Sequence, residues 1–354
     1  GEVPIYAPPI AAALEAMRVL PIELSEEAGG AGGACALAAA EGEEPWGRTL
    51  GRGLRSASFH STLSGELLVC LCYHDPRLQG LRRSEVLPGS ELQDEAWRAA
   101  AAVLRAALRE ALASARFACT ARAASEASVD IVGRWKRRRL AVERDGVTER
   151  FHLRGRELVY WQPEGQFSNP NGPCEVHCLE WLCREAEAIR SACDPGRSRL
   201  LELHCGGGNN TVALAPYFDE VVAVEINRSL ADAASGNLRA NGIENVRVVR
   251  SPSALAAGRL SGAGEQGAGL RGELQAVLVD PPRSGLDQET RELVRGFEHV
   301  LYISCNPRAL ADDLGALHSH EAVSFAIFDM FPYTTHAEVA VRLRRVARAG
   351  VGSP

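Results

Sequence analysis

Residues 199–210 read "RLLELHCGGGNN", an apolar run that ends in a cluster of glycines. The run is strand-length, and a strand that empties into glycines brings backbone within close reach of a ligand, here at Gly206 and Gly208. A dinucleotide fingerprint would place a third glycine at position 211, where this chain has Thr211. That substitution argues against NAD and for a cofactor without a pyrophosphate. Upstream, "EVHCLEWLCREAEAIRSAC" (175–193) has the spacing of an amphipathic helix. Downstream come "VVAVEIN", a strand, and "RSLADAASGNLRANG", a helix closed by Gly242. "NVRVVRS", "LQAVLVDPPR", "HVLYISCNP", "VSFAIFDMFP" and "EVAVRLRR" bring the strands to seven. Strands alternating with helices predict a parallel, doubly wound α/β sheet. The short loop between the last two strands predicts an antiparallel pair at the sheet edge.

The N-terminal portion has another rhythm. "ELLVCLCYHD" (66–75) is strand-like, and "DEAWRAAAAVLRAALREALAS" (94–114) has helical spacing of its apolar residues. "ASVDIVGRW", "RLAVERDG" and "RELVYWQPE" read as short strands, and two Gly/Ala-rich segments, 26–44 and 256–272, read as insertions. The expected division is an α+β part over 1–165 followed by the sheet domain over 166–354. The 354 residues carry 46% hydrophobic and 24% charged side chains. No apolar run approaches the roughly 20 residues of a membrane helix, so a soluble, intracellular protein is expected. A chain that opens on Gly1 leaves room for an upstream segment. Ten cysteines at irregular spacings form no paired metal-ligand set and are read as reduced thiols. The net charge is −6, yet residues 131–156 hold nine Arg/Lys against three acids. Arg134, Lys136, Arg137, Arg138 and Arg139 in that run are candidates for contact with nucleic-acid phosphates.

Seven strands with a reversed last member is the arrangement of S-adenosylmethionine-dependent methyltransferases, and ligands in such sheets bind at the carboxyl ends of the strands. About 17 residues past Gly208, Glu225 ends the second strand, placed to accept hydrogen bonds from both ribose hydroxyls of a nucleoside. The fourth strand ends "VDPPRSG" (279–285). Asp280 stands at its mouth, two prolines stiffen the turn, and Arg283 offers a planar fork to a phosphate or base carbonyl. The fifth ends "LYISCNP" (301–307). Cys305 there reads either as a core thiol or as a nucleophile at the ligand edge. Its place one strand beyond DPPR, its polar flanks and Pro307 favour the nucleophile. A carboxylate for proton transfer stands at Glu338 in "FPYTTHAEVA" (331–340), beside His336.

Taken together, "LLELHCGGGN", "VDPPRSGLD", "LYISCNP" and "FPYTTHAEV" resemble the successive motifs of the RNA uracil-5-methyltransferases, in particular the branch that forms ribothymidine in the tRNA T loop. The likeness extends to "YHD", to "DEAWRAAAAVLRAAL" and to "FSNPNGPCEVHCLEWL", reaching from about residue 55 to 342. It implies a Rossmann-like catalytic domain that uses S-adenosyl-L-methionine and binds tRNA as a monomer, without a metal cluster. It implies Cys305 as the nucleophile that adds to uracil C6 and Glu338 as the base that removes the C5 proton. By the same resemblance Asn169, His204, Asn209, Glu225 and Asp280 contact the cofactor, with Gly206 and Gly208 shaping the loop. Arg283 is a candidate to hold substrate and to lower the pKa of Cys305. The rivals are an RNA cytosine-5-methyltransferase, which would want a second cysteine where Arg283 stands, a ribosomal-RNA uracil-5-methyltransferase, and a tRNA-binding or folding protein without turnover. The chain departs from the family pattern at Asn169, where glutamine is usual, and at His204, where tyrosine is common. Against the family pattern, the N-terminal strands are expected to be shortened or absent before "IYAPPIAAALEAM".

Overall fold

The computed structural model describes residues 49–51, 54–73, 91–114, 128–135, 138–253 and 274–346. The segments 26–44 and 256–272, the stretch "IYAPPIAAALEAM", His74 and Asp75 of "YHD", Lys136 and Arg137 lie outside the described residues. Contacts divide the chain after Glu149, whereas the sequence reading draws the line at 165.

In the first unit, strands β1 (Leu54–Ser61), β2 (Leu67–Tyr73), β3 (Val129–Trp135) and β4 (Arg138–Ala141) form one sheet in that order. β2 and β3 run parallel, which requires a crossover, and helix α1 (Glu91–Ser114) lies between them in sequence. Trp97, Ala101, Leu104 and Leu108 recur at helical spacing and pack with Val69, Leu71 and Ile131. Each such side chain taken fully out of water contributes about 1.5–3 kcal/mol.

β5 (Gly146–Leu153) carries the chain into the second unit and forms a two-stranded sheet with β6 (Arg156–Pro163). Then follow α2 (Gly172–Ala192), β7 (Arg199–Leu203), α3 (Asn209–Leu214), β8 (Glu220–Glu225), α4 (Arg228–Ala240) and β9 (Val246–Arg250). β10 (Ala276–Val279), α5 (Gln288–Val294), β11 (His299–Ser304), α6 (Pro307–Ala316), β12 (His320–Phe328) and β13 (Glu338–Arg345) complete it. The large sheet has the order β12-β13-β11-β10-β7-β8-β9. All its described pairings are parallel except those of β13, which runs against both β11 and β12. The last strand is therefore reversed, as expected, and it sits inside the sheet while β12 takes the edge. The inner strands read as unbroken apolar runs because both faces are covered. Leu200, Leu278 and Leu301 face one core with α2, α3 and α4, and Leu201, Val277 and Val300 face another with α5 and α6.

Candidate active site

Register places the strand-end residues before any side chain is considered. Leu203 pairs with Val224 and with Val279. One residue further out, His204, Glu225 and Asp280 therefore stand in one row across three strands. On the other side of β10, Ser304 pairs with Val339 across the antiparallel β11–β13 ladder. That is the last pair of the ladder; continuing its register by one residue sets Cys305 beside Glu338, two positions far apart in sequence. Only the reversal of β13 delivers a strand beginning to an edge made otherwise of strand ends.

The glycine loop divides its work. Gly206 has φ +56° with nothing within 4 Å of where a Cβ would lie, and it lines the cavity. Gly208, at φ +81°, lies where a Cβ would come within 3.2 Å of Ala234 Cβ on α4, so its lack of a side chain serves helix packing. Asn237 of α4 donates to Gly207 O at 2.9 Å, accepts from Trp161 N at 2.7 Å and donates to Trp161 O at 3.2 Å. Asn241, one turn on, exchanges the same pair of bonds with Val159. Two asparagine side chains thus satisfy the open edge of β6 and fasten it beside the glycine loop.

The result is a cavity of about 520 Å³ in the second unit. Asn169, His204, Gly206, Asn209, Glu225, Asp280, Arg283, Cys305 and Glu338 all line it, and Tyr160, Trp161 and Phe331 supply aromatic walls. Glu225 is 8% exposed and accepts from Gly206 N at 3.0 Å and Asn227 N at 2.7 Å. Those bonds fix the carboxylate, and each oxygen keeps a second lone pair for a ligand. Of the remaining basic candidates, the described Arg134, Arg138 and Arg139 belong to the first unit. There Arg138 is ion-paired with Asp94, Arg139 with Asp145, and Arg134 donates to Cys72 Sγ at 3.5 Å.

Glu175 is the residue that the sequence reading missed. It lies in the first turn of α2, where an acid ordinarily complements the helix dipole in solvent, yet it is 2% exposed and lines the cavity. Its Oε2 accepts from Asn169 Nδ2 and its Oε1 from Asn209 Nδ2. Burial pushes its carboxyl up to about 7 against the pull of those two amides.

The cavity is acidic. Burial raises Glu338 to about 7, with Glu175 adding to the effect. Asp280 is driven well above the usual range by burial and then by Glu338, Glu175 and Glu202. Cys305 is partly exposed, and its thiol is pushed up by burial, then by Glu338 and Asp280, with Arg283 pulling it down. Arg283 acts in the expected direction but is outweighed. Its Nη2 donates to His336 Nδ1 at 3.0 Å. A guanidinium can only donate, so Nδ1 is the acceptor in this contact. Asn306 Nδ2 donates to Arg283 O at 2.8 Å and ties the DPPR turn to the Cys305 motif. Among the described residues no group of three His, Cys, Asp or Glu side chains could hold a metal ion. No described helix is long and apolar enough to cross a membrane.

A ring of carboxylates around an aromatic-walled cavity suits a cation carrying a flat base. With the reversed strand β13 and the row at the strand ends, this defines the catalytic unit of an S-adenosyl-L-methionine-dependent methyltransferase. The model of the tRNA (uracil-5-)-methyltransferase family matches residues 46–346, and the chain belongs to that family. It is 39% identical over 312 residues to the tRNA/tmRNA (uracil-C(5))-methyltransferase of Aromatoleum aromaticum, covering 86% of this chain and 73% of that one. It is 41% identical over 305 residues to the protein of the same name from an Azoarcus species, covering 84% and 72%. The fold is also that of the tRNA (uracil-54, C5)-methyltransferase of Pyrococcus abyssi, solved with S-adenosyl-L-homocysteine. That likeness has a TM-score of 0.51 at 17% identity, covering 82% of this chain and 59% of that one.

Proposed function

We propose that the chain methylates C5 of a uridine in the T loop of tRNA through a covalent bond between Cys305 and uracil C6. The observation that supports this most is that Cys305 and Glu338 directly follow the last pair of the β11–β13 ladder, Ser304 with Val339, and both line one cavity. The residues present fit the cofactor. Glu225 and Asp280 offer acceptors to a nucleoside, Gly206 leaves open space beside it, and Asn169, Asn209 and Glu175 form a polar end. When bound, S-adenosylmethionine supplies an electrophilic methyl group and a positive charge.

Uracil C5 is a weak nucleophile. The Cys305 thiolate adds to C6, and the displaced electron pair enriches C5; that carbon would take the methyl group as the methyl–sulfonium bond breaks, its electron pair staying on the donor sulfur. Glu338 then takes the C5 proton, the C5–C6 double bond re-forms, and the thiolate leaves. A carboxyl held near 7 suits this step, since a base titrating near the working pH is both ionised and basic enough to accept the proton. The thiol of Cys305 is raised by burial first and by Glu338 and Asp280 second, so its anion needs support before attack, and a cation in the cavity supplies part of it. The target base must leave its stack to reach the cavity, at a cost of about a few kcal/mol. Phosphate contacts from the basic run of the first unit would offset part of that cost.

The test uses tRNA and labelled cofactor, with nucleoside analysis of the product. Methylated uridine in the T loop supports the reading; methylated cytidine, or no transfer, sinks it. Glu338→Gln should add to C6 and accept methyl but fail to eliminate, leaving a protein–RNA adduct stable to denaturing electrophoresis. The adduct should vanish in the Cys305→Ala, Glu338→Gln double variant.

A further inference from the structure

We infer that Glu175 is a positioning residue that sets the direction of two amides, so that Asn169 and Asn209 present their carbonyl oxygens to the cationic amine end of the methyl donor. The inference rests on the reading of the cavity as the cofactor site and adds a residue to it. Asn169 precedes α2, Asn209 opens α3, and Glu175 lies in the first turn of α2, so three separate backbone positions converge. Each carboxylate oxygen takes an N–H from one amide. Both carboxylate oxygens accept, so both amides have their nitrogens turned toward Glu175. A planar amide that points its nitrogen one way offers its oxygen the other way, and both asparagines line the cavity. The anchors are themselves held: Asn171 Oδ1 caps α2 by accepting from Cys174 N at 3.2 Å, and Tyr160 OH donates to Asn209 O at 3.1 Å. The same arrangement accounts for the short side chain at 169. A carboxylate that reaches Asn169 from α2 gives it a fixed orientation where a longer amide would otherwise be expected.

Glutamine at 175 would keep the volume but not the pattern. It has one accepting oxygen and one donating NH₂, so only one asparagine can keep its orientation; the other must rotate and point a donor at the ligand's ammonium.

Calorimetry with two ligands tests this. S-adenosylhomocysteine carries the amino-acid end, and 5′-methylthioadenosine lacks it. Glu175→Gln should weaken S-adenosylhomocysteine by roughly ten- to a hundredfold, the factor for losing a hydrogen bond to a charged group, and leave methylthioadenosine within about twofold. In turnover, KM for the cofactor should rise while kcat at saturation holds. Asn169→Ala should show the same ligand split, which keeps the test alive if Glu175→Gln does not fold. In the Asn169→Ala, Asn209→Ala background the effect of Glu175→Gln should shrink toward nothing. Equal loss of both ligands would make Glu175 a structural residue and overturn the inference, as would no loss of either. A wild-type protein that binds neither ligand would instead remove the cofactor-site reading beneath it.

Discussion

Replacing Asp313 by Asn should loosen the loop that carries Asp280 and Arg283 without touching the cavity. Asp313 on α6 is fully buried, and its carboxylate collects three donors. Oδ2 accepts from Leu286 N at 3.0 Å and from Tyr302 OH, and Oδ1 accepts from Arg291 Nε at 2.6 Å. One carboxylate thus joins the far end of the DPPRSGL turn, the middle of β11 and the helix after Cys305. Asparagine can keep only one side of this arrangement. With its oxygen toward Leu286 and Tyr302 it presses an NH₂ against the Arg291 Nε–H, and the reverse leaves two buried donors unmet. Removing one partner of a buried ion pair costs about 3–5 kcal/mol. Because Arg291 is 32% exposed and can turn to water, the lower end applies, about 3 kcal/mol. Tyr302→Phe removes one hydrogen bond to a charged acceptor and should cost about 1.5–3 kcal/mol. The two changes share a partner, so their double variant should cost less than the sum. Urea denaturation followed by circular dichroism measures this, provided the slope on denaturant is unchanged. If Asp313→Asn lies within about 1 kcal/mol of the parent, the three-donor node is not what holds the turn, and the reasoning is wrong.

The pH dependence of kcat/KM should show an acid limb near pH 7. As the proposed base, Glu338 would have to be ionised to take the C5 proton, and its raised carboxyl is protonated as pH falls through about 7; a flat profile from pH 6 to 8 would remove it as the base. Glu202, 1% exposed, is raised to about 8 by burial, which Thr211 only partly offsets. The folded state therefore favours its protonated form, and stability declines as pH rises from the ordinary carboxylate range through about 8. Glu202→Gln should flatten that part of the stability curve, and thermal melts at pH 6 and 8.5 that shift equally in parent and variant would contradict this. Arg138 and Arg139 already face carboxylates, so replacing both by Ala should change the log–log salt slope of tRNA binding by less than the ~0.7–0.9 expected for each released phosphate contact. Filter binding across salt concentrations measures it, and a change near two would show that these pairs open on RNA.

Much of the second unit was legible because buried parallel strands write themselves as apolar runs, and because ligand loops in such sheets follow strand ends. The reversed β13 was legible from the short connection before it. Other features were not. β1, "LRSASFHS", is an edge strand with one buried residue, Leu54, and only a short alternation of Ala57 and Phe59 to mark it. β5, "GVTERFHL", hides its buried positions among charges, and one of them is Glu149 itself, which accepts from Leu63 N. Glu175 looked like an ordinary first-turn acid because its partners, six and 34 residues away, converge only in three dimensions. The basic run was visible as charge, but its pairing with Asp94 and Asp145 depends on tertiary contacts that charge counting does not see.

The antiparallel ladder between β11 and β13 makes the spacing of the chain unequal in importance on its two sides. The loop 329–337 can change length without disturbing which residue comes beside Cys305, because the ladders of β13 with β11 and β12 set that correspondence. Loss of a single residue inside β13 is another matter. If the pairing outward of Arg344 and His299 were kept, every side chain beyond the deletion would turn to the opposite face of the sheet, and the carboxylate of Glu338 would point away from the thiol. The group proposed to accept the proton is thus addressed by parity, odd or even, counted along eight residues of one strand.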